Sequence, residues 1–425
     1  MVDPIRATPA SRLPPIWGMR SACQHCLSSG LYSSGEGEGP RDTMNNSVTL
    51  GLDEALLSEL LRELGREAKA FRFEVAPNPC VGAAALSGGR VLARGYHQSW
   101  GGVHAEVAAL EAAHKADPKG KPDLLVVTLE PCSSEGKTGA CTDAILAAKI
   151  PRVVVGELDP DPRHKGRGME VLRAAGVEVF LLEGSAPLRD VSPQFLRWLQ
   201  PERLRRPRPH LLAKWAQTRT GQLEPPEDIG DGRWISCEVS VQEVQRLRGK
   251  TDAILTGMGT VLADDPRLSV RAPGDPTHAP LRVVLDSYLR TPPEARLFDP
   301  VQSNEGLGEL HILTIAGADA ARWRALEKAG AQVHGLHGEG GDHVALAEAL
   351  TWLWDRGVRR ALLEAGPTLL QACLDRNFVD QVRIYTGEVS GGRGVSMGSW
   401  MQSAKLLERL DRESGQDAVI EAFLE

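Results

Sequence analysis

The first regular hydrophobic pattern begins near residue 52. Leucines recur at spacings of three and four between residues 56 and 64, which places one apolar stripe along a helix that ends near Ala70. Two apolar runs follow at 81–86 and 91–95, separated by Ser87-Gly88-Gly89-Arg90. Because glycine readily adopts the positive φ angles of a tight turn, the pattern predicts a helix followed by a β-hairpin.

Over the next hundred residues, the spacing of apolar residues alternates between that of a helix and that of a strand. The patterns predict helices at 104–114, 142–148 and 168–175, and strands at 124–129, 152–156 and 177–182. Strands that alternate with helices indicate an α/β fold with a largely parallel sheet, covered on both faces.

Residues 186–209 interrupt this rhythm with five prolines and a basic run at Arg203, Arg205, Arg206 and Arg208. A short charge cluster next to prolines is typical of a solvated linker rather than a phosphate site. A second α/β unit follows. Its predicted strands are 211–216, 253–256, 282–285, 310–314 and 361–364, and its predicted helix is 241–249. We therefore place a first domain at 46–190, a linker at 191–208 and a second domain at 209–425.

Residues 1–45 contain Ser, Gly, Pro and Arg without a sustained apolar period and without the apolar core of a secretory signal. We expect a mobile N-terminal extension. Met44 would fit an overextended start, whereas acidic residues such as Glu36 disfavour an organellar targeting peptide; the sequence leaves both explanations open. Cys23-x-x-Cys26 is a weak metal pattern because no second pair follows it.

Composition narrows the class of protein. Hydrophobic residues make up 42% and charged residues 25% of 425 residues, which is typical of a soluble globular protein. The net charge of −7 disfavours a nucleic-acid partner, and the longest apolar runs are far shorter than the ~20 residues of a membrane-spanning helix. Seven cysteines spread over this length fit a reducing, cytoplasmic setting. We also expect a homo-oligomer.

The strongest chemical pattern lies in the first domain. His104, Cys132 and Cys141 offer one imidazole and two thiolates, which leaves the fourth position of a tetrahedral zinc site open for water. Glu106, two residues beyond His104, can face that water as a catalytic acid and base. This is the arrangement of zinc-dependent base deaminases. The usual spacing between the two cysteines is two residues, so the eight residues here require a looped connection.

Longer motifs carry a family resemblance. In the first domain they are Pro77-Asn78-Pro79-x-Val81-Gly82, Gly95-Tyr96-His97, Gly102-x-His104-Ala105-Glu106-Val107 and Thr128-Leu129-Glu130-Pro131-Cys132-Ser133-x-x-Gly136-Lys137-Thr138-x-x-Cys141. In the second domain they are the segment 257–271, Leu281-Arg282-Val283-Val284-Leu285-Asp286-Ser287 and Glu364-Ala365-Gly366-Pro367-Thr368-Leu369. Together they resemble the bifunctional riboflavin-biosynthesis deaminase/reductase family over residues 50–425, in family order. That family has the eight-residue cysteine spacing.

The resemblance implies a cytidine-deaminase-like three-layer α/β/α domain followed by a dihydrofolate-reductase-like α/β domain. The first would use zinc to hydrolyse the 2-amino group of 2,5-diamino-6-(5-phosphoribosylamino)pyrimidin-4-one. The second would use NADPH to reduce the ribosyl group to ribityl. The partner implied is a small phosphorylated pyrimidine, with neither a nucleic acid nor a membrane.

The resemblance also assigns site residues by motif position. The pyrimidine in the deaminase would contact Asn78, His97 and Lys137. The NADP in the reductase would contact Ala216, Trp234, Thr260, Asp264, Ser287 and the loop from Gly366. The reductase substrate would contact Gly232, Arg248, Leu268, Arg271 and Glu364.

The chemistry of these residue types is consistent with the reductase site that the resemblance implies. A phosphorylated ribose needs fixed cations, which Arg248 and Arg271 could provide through bidentate contacts, and Lys214 adds an ammonium on the first strand. The turn at Gly366 would let backbone amides approach a cofactor phosphate.

Two departures from the family pattern leave alternatives. Thr218-Arg219-Thr220-Gly221 stands where the family usually has Ser-Leu-Asp-Gly, and Ser134-Glu135 replaces bulkier polar residues in the zinc loop. With the Asp replaced by Thr220, we expect Lys214, Asp265 and Glu364 to support hydride transfer. The rival interpretations are a deaminase with a degenerate reductase domain and a nucleic-acid base deaminase.

Overall fold

The computed structural model describes residues 53–118, 120–134, 139–201, 207–227, 235–271, 279–300, 305–339 and 343–425. All of these residues belong to one compact unit. Several expectations lie outside them: those for the extension at 1–45, for Lys137, Gly232 and Trp234, and for the arginines at 203, 205 and 206.

The first region starts with the predicted amphipathic helix. Asp53 caps its N-terminus by accepting a hydrogen bond from the Ala55 amide at 2.9 Å, and Leu57, Leu61 and Leu64 form its buried stripe. The elements in chain order are α1 (Glu54–Ala68), a 3₁₀ turn (Lys69–Phe71), α2 (Arg72–Val75), β1 (Gly82–Ser87), β2 (Arg90–Tyr96), α3 (Ala105–Ala116), β3 (Leu124–Val127), α4 (Cys141–Ala147), β4 (Arg152–Val155), α5 (Arg167–Ala174) and β5 (Glu178–Leu181).

These five strands form one mixed sheet in the order β2-β1-β3-β4-β5. The β1–β2 hairpin is confirmed, and Gly88 and Gly89 adopt φ angles of +56° and +79° in its turn. Strand β1 also pairs antiparallel with β3, whereas the pairs β3–β4 and β4–β5 are parallel. Four of the five strands therefore run in one direction, as predicted for a largely parallel sheet, and β1 is the single reversed strand because it forms the hairpin with β2.

Residues 187–199 are not the open linker that their prolines predicted. They form α6 (Leu188–Val191) and α7 (Pro193–Trp198), with Pro193 at the first turn of α7. Val191 packs against Gly65 of α1, and Phe195 is buried. The basic residue Arg208 is also not solvated, since its guanidinium binds the buried Asp380 carboxylate at 2.7 Å. Apolar anchors between the prolines outweigh the linker-like composition.

The second region is larger and is built on a longer sheet. Its elements in chain order are β6 (His210–Gln217), β7 (Gln222–Glu224), α8 (Glu238–Arg248), β8 (Ala253–Gly257), α9 (Met258–Asp264), β9 (Leu281–Leu285), a 3₁₀ turn (Arg296–Phe298), β10 (Leu310–Ile315), α10 (Ala320–Ala329), β11 (Gln332–Leu336), β12 (Gly338–Glu339), β13 (His343–Val344), α11 (Leu346–Asp355), β14 (Arg360–Leu363), α12 (Pro367–Asp375), β15 (Gln381–Thr386), β16 (Arg393–Ser396), α13 (Gly398–Ser403), β17 (Leu406–Ser414) and β18 (Asp417–Leu424).

Nine of these strands form a sheet in the order β11-β10-β9-β8-β14-β6-β15-β18-β17. The first seven are parallel, whereas β18 and β17 complete the sheet in antiparallel register. The central strands β8 and β14 are almost wholly buried, as expected for strands covered by helices on both faces. In such a sheet the carboxyl ends of the strands form the usual ligand-binding edge.

Candidate active sites

The three predicted metal ligands come together in the first region. The side-chain ligand atoms of His104, Cys132 and Cys141 all lie within 4.8 Å of one another. His104 precedes α3, Cys132 follows β3, and Cys141 is the first residue of α4. The His104 Nδ1 atom lies 3.2 Å from Cys141 Sγ and 3.6 Å from Cys132 Sγ.

The donor set of this cluster fits zinc. Hydrogen bonding from Cys141 and His104 lowers the pKa of Cys132 well below the usual thiol value. A thiolate, a second thiol and an imidazole nitrogen that converge on one point are the ligands of three-residue catalytic zinc sites. The cluster can therefore hold a zinc ion through protein ligands while leaving a coordination position for another molecule.

Glu106 lies in the first turn of α3 and is only 4% exposed. Burial raises the pKa of its carboxyl to about 6, despite the opposing charge of His104. A carboxyl with a pKa near neutrality exchanges a proton readily in both directions. The position of α3 depends on Gly95 of β2, because a Cβ atom there would lie 2.2 Å from the Ala109 amide nitrogen.

The predicted pyrimidine-binding residues Asn78 and His97 are neighbours. The Asn78 Nδ2 atom lies 3.2 Å from His97 Nε2, and His97 Nδ1 lies 3.1 Å from the Val103 carbonyl oxygen. Since that carbonyl can only accept, Nδ1 carries the proton and Nε2 accepts from Asn78. Burial lowers the pKa of His97 to about 4, so the ring is neutral at pH 7. It lies 5.2 Å from the His104 ring between centroids.

Glu130 is a supporting residue to which the sequence motif gave no role. Its buried carboxylate accepts hydrogen bonds from the amides of Gly166 and Gly168 at 2.8 Å and of Asp159 at 3.2 Å. A Cβ atom at Gly168 would lie 1.9 Å from the Pro131 carbonyl oxygen, so the segment before Cys132 is held tightly. A glutamate directly before Pro-Cys was the only sequence signal for this anchor.

The second site contains an ion pair that the sequence did not predict. Arg248 Nε and Nη2 donate to Glu364 Oε1 and Oε2 at 2.7 and 2.8 Å, and Arg248 Nη1 donates to the Ser269 carbonyl at 3.0 Å. The Glu364 carboxylate occupies one bidentate edge of the Arg248 guanidinium, and a contact between Arg248 and the substrate phosphate stays a prediction. Of the two arginines Arg248 and Arg271, Arg271 is the exposed one, so its guanidinium is accessible to an anion from solvent.

Lys214 and Glu364 have opposite electrostatic behaviour within this cluster. Burial raises the pKa of Glu364, but the charge of Arg248 and its hydrogen bonds outweigh burial and bring that pKa to about 2. Glu364 therefore stays ionised and does not serve as the proton donor that the sequence allowed. Burial and Arg248 lower the pKa of Lys214, against the raising effect of Glu364. Lys214 is the group in this cluster that can release a proton nearer neutrality.

The sequence pointed to Asp265 as a third ionisable group, but the structure favours its neighbour. Asp265 Oδ1 accepts from the Arg296 amide at 2.8 Å, and its φ of +40° ends α9. Asp264 is the residue within electrostatic reach of Lys214, which lowers the Asp264 pKa, although burial and Glu224 raise it overall. Of the two neighbouring carboxylates, Asp264 is therefore the one that interacts electrostatically with Lys214.

The remaining predicted cofactor residues lie along the carboxyl ends of the parallel strands. The Gly366 amide donates to Thr260 Oγ1 at 2.8 Å, which joins the loop after β14 to α9 after β8. Ser287 follows β9, and its Oγ accepts from the Val344 amide at 3.0 Å. Ala216 lies near the end of β6. Leu268, which was predicted to contact the reductase substrate, is buried and has a φ of +53°. This edge suits a bound dinucleotide.

The Thr218–Gly221 departure forms an ordered turn. Thr218 Oγ1 lies 3.1 Å from Thr220 Oγ1, which also accepts from the Gly391 amide at 2.9 Å. Gly221 completes the turn with a φ of +84°. Hydroxyl groups therefore hold the connection from β6 to β7 where the family pattern has a carboxylate.

Known proteins resemble both regions of the chain. The model of the cytidine and deoxycytidylate deaminase zinc-binding region matches residues 56–157, and that of the RibD C-terminal domain matches residues 209–414. The riboflavin biosynthesis protein RibD of Aquifex aeolicus (strain VF5) is 34% identical, over 85% of this chain and 96% of the relative. This chain belongs to the RibD family. RibD of Escherichia coli (strain K12) is 33% identical, over 75% of this chain and 84% of the relative.

Solved structures agree with this assignment. RibD of Acinetobacter baumannii superposes with a TM-score of 0.61 at 25% identity, covering 88% of this chain and 100% of that chain. The Thermotoga maritima diaminohydroxyphosphoribosylaminopyrimidine deaminase/5-amino-6-(5-phosphoribosylamino)uracil reductase gives 0.58 at 26% identity, covering 88% and 99%.

These findings confirm the predicted family and fold class, a cytidine-deaminase-like domain followed by a reductase domain. Membership of the RibD family assigns the chain to riboflavin biosynthesis, with a zinc-binding deaminase domain and a reductase domain of the NADPH-dependent RibD type. Within the described ranges, no helix combines the length and the apolar character that crossing a membrane requires.

Proposed function

We propose that the chain carries out two successive reactions at separate sites. The first deaminates the diaminohydroxyphosphoribosylaminopyrimidine named for the Thermotoga maritima relative, and the second reduces the resulting 5-amino-6-(5-phosphoribosylamino)uracil. The observation that carries the proposal is that one chain holds both the His104, Cys132, Cys141 cluster and the Lys214, Arg248, Glu364 cluster, on different sheets.

In the deaminase, Asn78 and the neutral His97 would hold the pyrimidine beside the metal ligands. When bound, zinc supplies Lewis acidity that makes a water molecule nucleophilic. The Glu106 carboxylate would accept a proton from the attacking water and deliver it to the amino group, which leaves as ammonia. Its raised pKa supports both transfers, because the protonated and ionised forms then differ little in free energy at neutral pH.

In the reductase, the substrate phosphate would bind Arg271, and the cofactor would lie along Ala216, Thr260, Ser287 and Gly366. NADPH supplies a hydride when bound. The ring-opened ribosyl carbon would receive that hydride, and the Lys214 ammonium would supply the accompanying proton. Glu364 would keep its charge throughout and would orient Lys214 and Arg248 electrostatically.

We place the deaminase domain at 46–190 and the reductase domain at 209–425, in line with the two family models and the two sheets. The homo-oligomer and the cytoplasmic location expected from the sequence stay predictions. Light scattering of the purified protein and cell fractionation would test them.

The decisive experiment is mass-resolved conversion of the diamino substrate with and without NADPH. Without NADPH, we expect the deaminated product to accumulate; with NADPH, we expect the ribityl product and matching oxidation of the cofactor. Accumulation of the deaminated product in both cases, with NADPH bound, would show a degenerate reductase. Absence of conversion by zinc-loaded protein would contradict the deaminase proposal.

A further inference from the structure

The reductase sheet holds the backbone of a short helix that leads into the deaminase site. Arg360, at the start of β14, is fully buried, and its Nη1 and Nη2 atoms donate to the carbonyl oxygens of Glu74 and Phe73 at 2.7 and 3.2 Å. Gln381 Nε2, on β15, donates to the Phe73 carbonyl at 3.2 Å. Helix α2 therefore ends on polar groups of the other region, which satisfy carbonyls that its short length leaves open.

The side chain of Glu74 makes the same connection through charge. Its Oε1 atom accepts from Arg383 Nη2 at 2.6 Å, and its Oε2 accepts from Lys250 Nζ at 3.2 Å. Burial raises the pKa of Glu74, but Arg383, Lys250 and Arg360 outweigh it and bring that pKa to about 2. Arg383 also binds the buried Glu421 carboxylate at 2.9 Å. Glu74 is therefore a fixed anion in a network of partly buried charges, where pairing is screened less than at an open surface.

Apolar packing accompanies these contacts. The Phe73 ring, which is 3% exposed, lies 4.9 Å from the ring of Phe423 on β18 between centroids. Leu407 and Leu410 of β17 pack against the same cluster, which also includes Ala76. Because one cluster contains residues of both regions, α2 is held by packing as well as by polar bonds.

The held segment continues directly into the proposed pyrimidine-binding residues. The Asn78 amide donates to the Val75 carbonyl at 2.9 Å, and the Asn78 side chain contacts His97. The Trp100 amide donates to the Glu74 carbonyl at 2.9 Å, which ties down the loop that follows His97. Both binding residues are thus connected to α2 by one or two hydrogen bonds.

We infer that Glu74 is a positioning residue for the deaminase, through which the reductase sheet sets the placement of Asn78 and His97. Glu74 acts through these residues and has no assigned contact with substrate. The inference rests on the proposed function, since it assumes that Asn78 and His97 bind the pyrimidine. Its consequence is that charges of the reductase region, at Arg383 on β15 and at Lys250 in the turn after α8, affect how well the deaminase binds its substrate.

The test is steady-state deamination by the full-length zinc-loaded chain carrying Glu74→Gln. The substitution keeps the side-chain shape but removes the charge that binds Arg383 and Lys250. Because small displacements of positioning groups weaken productive binding, we expect KM to rise roughly tenfold. We expect kcat to change less than about twofold, since Glu106 and the metal ligands lie on other elements. Zinc content and reduction of supplied deaminated intermediate should equal wild type.

Two variants serve as controls. Glu243→Gln removes another carboxylate of the same charge network, one that binds Arg412 at 2.8 Å entirely within the second region, and should leave the deaminase KM unchanged. Asn78→Ala should raise that KM directly. If Asn78→Ala raises KM and Glu74→Gln does not, the inference about Glu74 is wrong while the proposed function stands. If neither variant changes KM, the assignment of the pyrimidine site itself is wrong.

Lys250→Met provides a second test that does not depend on replacing Glu74. The Lys250 side chain is 41% exposed, so its loss leaves Glu74 bound to Arg383 and should not impair folding. We expect a rise in KM of about twofold, in the same direction as for Glu74→Gln. If Glu74→Gln lowers the melting temperature too far for assay, an unchanged KM in Lys250→Met overturns the inference.

Discussion

The two candidate sites differ in how their polar groups are balanced. The metal cluster gathers donors of lone pairs, two sulfurs and one imidazole nitrogen, that converge on a common point. The reductase cluster pairs cations with anions within the protein, as Arg248 and Glu364 show. The first site therefore offers lone pairs to a metal ion, so a substitution there should alter metal content. The second site pairs its charges within the protein, so a substitution there should alter ionisation.

The largest effect should follow from removing one of the three metal ligands. We expect Cys132→Ser to lose bound zinc and with it nearly all deamination, because a hydroxyl is a much poorer zinc ligand than a thiolate. Metal analysis of the purified protein beside a deamination assay measures both. Reduction of supplied intermediate should be retained. Metal-free protein with full deaminase activity would contradict the site.

Glu106→Gln distinguishes two roles of Glu106, as a metal ligand or as a proton carrier. We expect deamination to fall by roughly 10²-fold or more while zinc stays bound, because the amide cannot exchange protons. Reduction of supplied deaminated intermediate should persist, which would show that the two activities lie in separate regions. Near-normal turnover would exclude Glu106 as the proton carrier.

Lys214→Ala makes the matching change in the second site. We expect NADPH oxidation with the deaminated substrate to fall by about 10²-fold, because the proton donor is lost, whereas zinc content and deamination should equal wild type. The same assay on Asp265→Asn is a control, since Asp265 contacts the Arg296 amide instead of Lys214. A larger loss in Asp265→Asn than in Lys214→Ala would reverse the assignment.

The smallest effect concerns pH. If Lys214 must be protonated to act, reductase kcat/KM should fall as pH rises through its pKa, which burial places below the ordinary lysine value of 10.5. Glu364 raises the pKa of Lys214, so Glu364→Gln should move this decline to lower pH. The wild-type profile under the same buffers is the reference. A decline that does not move would show that the two groups are not coupled.

The sequence predicted the first site better than the second because of where the partners lie in the chain. Motifs around His104 and Cys132 include their own spacing rules, so ligand identity could be predicted without coordinates. The Arg248 to Glu364 pair joins residues 116 positions apart, and nothing local indicates which cation a carboxylate will bind. Both residues were predicted at the site, but as partners of a ligand rather than of each other.

The fold shows the same division between local and long-range information. Periodicity predicted β6, β8, β9, β10 and β14 close to their observed bounds, whereas β15, β17 and β18 were missed. Strand β17 alternates mostly between partly and fully exposed positions at the sheet edge, so it lacks a strong apolar signal. Helix α7 was missed because the prolines around it suggested a linker, and the burial of Phe195 depends on tertiary packing.

The burial of Arg360 has a consequence for how the two enzymes could ever be separated. Cutting the chain between the sheets would remove the Phe73 and Glu74 carbonyls from a guanidinium with no exposed surface, and would expose the Phe73 and Phe423 rings to water. Exposing a buried aromatic side chain costs about 1.5–3 kcal/mol, so the loss of this packing is a large share of the stability of an ordinary domain. Independent expression of either half would therefore require compensating substitutions at this seam, and gene fission is a less accessible evolutionary route for this chain than for two domains joined by a tether.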